Sequence, residues 1–300
     1  MTAPAEFEYD AIRLRGVSLA GEESYIVAPE MNLGFDIGRC QRDVLGVDHL
    51  FLTHGHMDHA AGAAYYFSQR MFIDNAPGNV YAPEPIVEPL RRLMGIWADI
   101  DGHEPPANIH PVAPGQDIPL RRDLIVRPFY VNHLCRRHDR SRVDALGFAA
   151  IEVRHKLLDE FTGLAGNELV DLKKRGVEIT RRVEMPVVTY CGDSADGEFF
   201  DLDYVKNARV LLMECTFVDR DDRERARAGY HTHLLDLRGI LPRLNNERIL
   251  LTHLTRRTNL RDARAALKNE LDASMLERIS FFMEHRRRPR KAAQPGDAEE

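Results

Sequence analysis

The chain has 300 residues, 44% hydrophobic and 29% charged, which is enough apolar material for one large folded unit or two small ones. Its 47 acidic and 41 basic residues leave a formal charge of −6, which excludes a surface coated all over in positive charge, although a local basic patch would suffice for a nucleic acid. In chain order, apolar runs bounded by Gly, Pro, Asp or Asn predict strands over residues 25–28, 33–37 and 49–53. Helices are expected over 58–70 and 85–94, then strands over 124–131, 148–153, 186–190 and 208–213. A helix over 232–244, a strand over 248–252 and a helix over 261–271, capped by Asn259, complete the pattern. Such alternation over this length indicates a layered α/β protein. The acidic first ten residues lack a signal-like apolar core, and no apolar run is long enough to span a bilayer. Cys40, Cys135, Cys191 and Cys215 show no CxxC spacing, so a reducing, cytoplasmic setting is expected.

Thirteen histidines are the unusual count. Three of them fall in Thr53-His54-Gly55-His56-Met57-Asp58-His59, directly after an apolar run. In extended chain, residues two apart share a side, so His54 and His56 can grip one ion, while Asp58 and His59 open a helix and turn toward a second. Imidazoles with a carboxylate suit zinc and related divalent ions. His133, Asp193 and His253 each follow another apolar run, at the sheet edge where α/β proteins bind ligands. A dinuclear site is the economical reading.

The segment from His54 to His59 matches the HxHxDH signature, and the sequence resembles the metallo-β-lactamase superfamily. That resemblance implies a four-layer αβ/βα sandwich with two mixed sheets, expected over residues 1–283, while composition makes 284–300 a disordered, basic then acidic tail. It assigns His54, His56 and His133 to one zinc, Asp58, His59 and His253 to the other, and Asp193 to both. Met213-Glu214-Cys215-Thr216-Phe217 and Tyr230-His231-Thr232-His233 look like the Glu-x-Thr and His-Ser/Thr boxes of the ribonuclease Z branch, closest to its short plant and cyanobacterial type. The 22 residues from His231 to His253 are the separation expected there. Further similarity lies in residues 33–40 and 156–180. The implied activity is cleavage of 3′ trailers from precursor tRNA by a metal-bound hydroxide on two Zn2+ ions (Mn2+ or Fe possible), in a cytoplasmic homodimer. Asp58 would orient the hydroxide and act as base, and His231, held by Glu214, would protonate the leaving 3′ oxygen. Separately, Glu214 reads as a turn-capping carboxylate and His231 as a surface residue; together, at this spacing, they read as functional.

The remaining histidines read as surface or satisfied polar groups, except His233, which stays open. Tyr65, Tyr66 and Phe67 read as helix packing. Cys191 and Cys215 fall beside the metal residues, where oxidation could reach them. Many ribonuclease Z proteins grip the tRNA elbow with a Gly/Pro-rich arm. Residues 156–182 occupy that interval without such a tip, and Lys173, Lys174 and Arg175 are the expected phosphate contacts. Residues 136–142, with Arg136 and Arg137 among four arginines, read as an inserted basic loop beside the cleft. Leu254-Thr255-Arg256-Arg257-Thr258 replaces the usual Phe-Ser-x-Arg-Tyr. The altered arm and the charge of −6 keep open an alternative, a hydrolase of a small ester, lactone or cyclic phosphodiester on the same fold. A scaffold that has lost catalysis is disfavoured because every ligand position is kept.

Overall fold

The computed structural model describes residues 2–73, 77–136 and 142–286. The first sheet contains β1 (Ala5–Tyr9), β2 (Ile12–Leu19), β3 (Glu23–Ala28), β4 (Leu33–Phe35), β5 (His49–Phe51), β6 (Asn79–Pro83) and β7 (Asn108–Val112), paired in that order. Its first four strands are antiparallel neighbours and its last four parallel. The second sheet repeats the arrangement with β8 (Ile118–Arg121), β9 (Leu124–Arg136), β10 (Arg142–Leu157), β11 (Thr180–Tyr190), β12 (Val210–Glu214), β13 (Arg248–Thr252) and β14 (Ile279–Phe281). There β8 to β11 pair antiparallel and β11 to β14 parallel.

Helices follow the parallel strands, as crossovers require. After β5 come α1 (Met57–Ala60) and α2 (Ala63–Ile73), and after β6 comes α3 (Glu84–Asp101). In the second half α4 (Gly166–Lys174) tips the β10–β11 hairpin, and α5 (Asp203–Lys206) precedes β12. Then α6 (Arg223–Gly229) and α7 (Leu237–Ile240) precede β13, and α8 (Leu260–Glu270) and α9 (Ala273–Leu276) precede β14. The two sheets meet through Phe35 against Tyr190 and Phe51 against Phe148, with ring centroids 5.3 and 5.2 Å apart. Tyr66, Phe67, Val87 and Met94 cover the outer face of the first sheet, and Leu237, Ile240, Ala263 and Leu267 that of the second. This is the αβ/βα sandwich of two mixed sheets.

Local chemistry accounts for where the elements depart from expectation. The helix foreseen over 58–70 breaks at Gly62, where a Cβ would lie 2.5 Å from the Cys40 backbone nitrogen; the bare glycine lets its N–H reach the Gly38 carbonyl at 2.8 Å. The helix foreseen over 232–244 is instead a 3-10 turn, the four-residue α7 and another 3-10 turn, with Gly239 and Pro242 inside it. Asn259 does cap α8, its side chain accepting from the Arg261 N–H at 2.8 Å. Six of the described strands were not among the expected ones. In β2 buried Ile12 and Leu14 alternate with exposed Arg13 and Arg15, and β7 and β8 carry Pro111 and Pro119, tolerated because both are edge strands. The tail expected from 284 begins inside a 3-10 turn, Phe282–His285, where Glu284 pairs with Arg264 and Arg286 bridges to Ala5.

Candidate metal centre

The site is built at the carboxyl ends of the parallel strands. Asp36 follows β4, Thr53 and His54 follow β5, Asp193 follows β11, Glu214 ends β12 and His253 follows β13. His56 occupies the N-cap position of α1, which carries Asp58 and His59. His133 differs from expectation: it lies within β9, which runs on to Arg136 paired with the start of β10. Gly192, at φ +61°, brings Asp193 close, since a Cβ there would meet the Thr53 methyl at 2.8 Å.

The proton count of the network fixes which imidazole nitrogen faces inward. The Thr53 hydroxyl lies 2.9 Å from Asp36 Oδ1 and 2.9 Å from His54 Nδ1. Its single proton goes to the carboxylate, so His54 Nδ1 must donate to it. His59 Nδ1 donates to Asp36 Oδ2 at 2.7 Å, and His133 Nδ1 to the Tyr230 carbonyl at 3.2 Å. The Thr216 hydroxyl donates to Glu214 Oε2, so His253 Nδ1, 2.9 Å away, donates to Thr216. In the neutral form of each of these four rings Nε2 therefore carries the lone pair.

Those lone pairs converge on Asp193. Its carboxylate oxygens lie 3.4 Å from His59 Nε2, 3.3 Å from His253 Nε2, 3.9 Å from His54 Nε2 and 4.0 Å from His133 Nε2. Asp58 Oδ2 lies 3.4 Å from His253 Nε2 and 3.6 Å from His59 Nε2, steadied by the Gly21 N–H at 2.8 Å. His56 Nδ1 comes within 3.4 Å of His133 Nε2. Two donors each about 2.1 Å from a tetrahedral ion lie about 3.4 Å apart, so this spacing is that of shared coordination. His54 Nε2, His59 Nε2 and Asp193 Oδ1 are buried without any hydrogen-bond partner. Such atoms are costly unless a cation serves them, so the donor set fits divalent metal. Cys135, two residues beyond His133 on the same strand face, puts its sulfur within 4.8 Å of ligand atoms of His54, His56 and His133; the alternation of a strand would have revealed it.

Charge supports the same reading. Burial opposes ionisation of Asp58 and Asp193, but His253 and His59 hold both carboxyls low, Asp58 at about 2. Against its own burial, Asp193 and Asp36 raise His59 well above the ordinary imidazole value, so positive charge is favoured at the centre of the cluster. Burial, with His59 nearby, holds His54 neutral. Beside the cluster, Glu214 accepts from the backbone N–H of Ser194 at 2.6 Å and of Thr232 at 3.1 Å. It also accepts from His231 Nδ1 at 2.8 Å. Burial opposes charge on His231, yet Glu214 raises its pKa to about 9. The His231 ring is 5.0 Å from that of His133 and 5.5 Å from that of His253, and it keeps some exposure.

His233 lies outside the cluster and caps the next turn, accepting from the Leu235 N–H at 3.1 Å and donating to the Asp219 carbonyl. Tyr66 and Phe67 are core residues, whereas Tyr65 is exposed. Cys191 and Cys215 are wholly buried and burial pushes their thiols up, so neither presents an oxidisable thiolate. Lys173, Lys174 and Arg175 are exposed at the end of α4. From the Phe148–Tyr190 pair to the Leu157–Thr180 pair, the β10–β11 hairpin carries that helix roughly 30 Å from the centre. Arg136 ends β9, three residues past His133, and residues 137–141, with Arg137, lie outside the described residues.

Residues 31–158 match the beta-lactamase superfamily domain model. The chain is 30% identical to the chloroplastic tRNase Z TRZ2 of Arabidopsis thaliana, covering 92% of this chain and 77% of that protein. It is 31% identical to tRNase Z TRZ1 of the same plant, over 90% and 95% respectively. The human short-form tRNase Z structure shares the fold at a TM-score of 0.56, with 17% identity over 81% of this chain and 91% of that one. The convergent donors, the paired His231 and Glu214 and this sequence similarity lead to one assignment: the chain belongs to the ribonuclease Z family, metal-dependent hydrolases of the metallo-β-lactamase fold.

Proposed function

We propose that this protein is a dinuclear-zinc endoribonuclease that removes 3′ trailers from precursor tRNA. The observation that carries the reading is the His231–Glu214 pair at 2.8 Å, set beside the converging donors. Its two tRNase Z relatives support the substrate class. His54, His56 and His133 would hold one ion, Asp58, His59 and His253 the other, and Asp193 both. When bound, two such cations neutralise phosphate charge and activate water. Zinc suits the ligands, and manganese or iron would also be accepted.

The chain's own groups handle the protons. Asp58, ionised at neutral pH, takes a proton from the attacking water as its oxygen bonds to phosphorus. The bond from phosphorus to the ribose 3′ oxygen breaks, and His231 delivers a proton from Nε2, its Nδ1 being committed to Glu214. The products are a 3′-hydroxyl on the tRNA and a 5′-phosphate on the trailer. Lys173, Lys174 and Arg175 would hold phosphates far from the cut, and Arg136 and Arg137 phosphates near it. A second copy of the chain is assigned to the face of the packed helices α2 and α3, which leaves Phe72, Ile73, Ile96, Trp97 and Ile100 exposed. The buried thiols of Cys40, Cys191 and Cys215 are in keeping with a reducing compartment such as the cytoplasm.

The test is incubation of the purified protein with a 3′-extended tRNA and, separately, with bis(p-nitrophenyl) phosphate. A specific cut at the tRNA 3′ end is expected. Hydrolysis of the small ester alone would replace this reading with a small-ester hydrolase.

A further inference from the structure

Strand β9 brings to the metal centre a sulfur that the chemistry above does not use. Between Val131, paired with Ala145, and Cys135, paired with Val143, β9 carries three residues where β10 carries one. A bulge of this kind bends the strand and re-aims its side chains. The bulged stretch pairs instead with the loop behind Asp193. The Ala195 N–H donates to the Asn132 carbonyl at 2.9 Å, and the Asn132 amide donates to the Asp196 carbonyl, also at 2.9 Å. Alternation survives the bulge, with Val131, His133 and Cys135 buried and Asn132 and Leu134 between them half-buried. His133 and Cys135 therefore face the same side.

On that side a donor is wanted. The rings of His54, His56 and His133 have centroids 4.5 to 5.2 Å apart. His56 Nδ1 and His133 Nε2 lie 3.4 Å apart, and His54 Nε2 is buried without a hydrogen-bond partner. Asp193 stands 3.9 and 4.0 Å from the Nε2 atoms of His54 and His133, against 3.4 and 3.3 Å from those of His59 and His253. It leans toward the other half. Three imidazoles leave a tetrahedral ion one close donor short. The Cys135 sulfur is in reach, since it and one nitrogen from each of the three imidazoles fall within 4.8 Å of one another. Around a tetrahedral ion a sulfur and an imidazole nitrogen lie about 3.6 Å apart. Rotation about the one side-chain torsion of cysteine covers that difference.

We propose that Cys135 is a thiolate ligand of the ion held by His54, His56 and His133. The sulfur–metal bond forms as the S–H proton passes to solvent. The thiolate brings negative charge to a half whose other donors, Asp193 apart, are imidazoles. A soft sulfur donor favours zinc or cobalt over manganese, whereas Asp58, His59 and His253 offer only oxygen and nitrogen. The two halves of the centre thus differ in metal preference. This inference rests on the metal reading of the preceding section.

The probe is cobalt(II), titrated into apo protein. Any tetrahedral cobalt site absorbs in the visible through ligand-field transitions, but a sulfur ligand adds an intense charge-transfer band in the near ultraviolet. That band is expected in the wild type. It should vanish in Cys135→Ser and Cys135→Ala while the visible absorption persists. Zinc-edge X-ray absorption of the zinc-loaded wild type, which needs no variant, should show a sulfur neighbour at about 2.3 Å. Visible bands without the near-ultraviolet band in the wild type would overturn the proposal, as would a band that survives both substitutions. A zinc spectrum accounted for by nitrogen and oxygen alone would overturn it too. A wild type that binds neither cobalt nor zinc would instead overturn the metal reading itself.

Discussion

At His231 two forces oppose each other. Burial strips water from the imidazolium, while the Glu214 carboxylate 2.8 Å away stabilises it, and the carboxylate wins. The acid form is therefore present below about pH 9 and lost above it. His231→Ala should lower turnover on precursor tRNA by about 10²- to 10⁴-fold while leaving metal content unchanged; loss of metal in that variant would make His231 a ligand instead. Because Glu214 raises the His231 pKa, Glu214→Gln should move the alkaline limb of kcat/KM to lower pH, and a limb that stays in place would exclude His231 as the acid. These residues were readable because chemistry imposes spacing: two histidines two apart on extended chain, then an acid and a histidine opening a helix. Asp36 and Thr53 were given no role, since one carboxylate or hydroxyl at a strand end makes no pattern, and Thr216 entered only as the threonine of the Glu-x-Thr box. Only the repetition of a carboxylate ending a parallel strand, once in each half, marks them.

Among the elements, the α1–α2 junction and the β10–β11 hairpin matter most. Gly62→Ala would drive a methyl into the Cys40 backbone and push α1, with His59, away from Asp36. A destabilisation of about 1–3 kcal/mol is expected, the range for forced overpacking, with weakened metal binding; an unchanged melting temperature would show that the loop yields freely. The hairpin carries α4 far from the centre, so reversing Lys173, Lys174 and Arg175 to Glu should weaken precursor binding and flatten its salt dependence. Hydrolysis of bis(p-nitrophenyl) phosphate should not change, and a matching loss on both substrates would contradict a remote RNA contact. Strands with continuous apolar runs, such as β12, were legible. The alternating β2 and the proline-bearing β7 and β8 were not, because half-buried and edge strands need no such run.

For the whole molecule, the net charge of −6 does not oppose the proposed RNA substrate, because charge acts where it is placed. The proposed second copy on the face of α2 and α3 predicts a concentration-dependent dimer. Paired Trp97→Asp and Ile100→Asp substitutions should shift it to monomer in sedimentation, and unchanged sedimentation would free that face for another role. The cysteines supply a different measure. Cys191 lies two residues before Asp193 and Cys215 directly follows Glu214, both sealed from solvent with thiols that resist ionisation. A thiol reagent can reach them only when the strand ends part, so their labelling rate is a clock for local opening. Ions seated among the neighbouring imidazoles and carboxylates would slow that clock by holding both sheets together. The molecule thus carries, within two residues of its candidate site groups, two built-in reporters of how often the sandwich breathes at that edge.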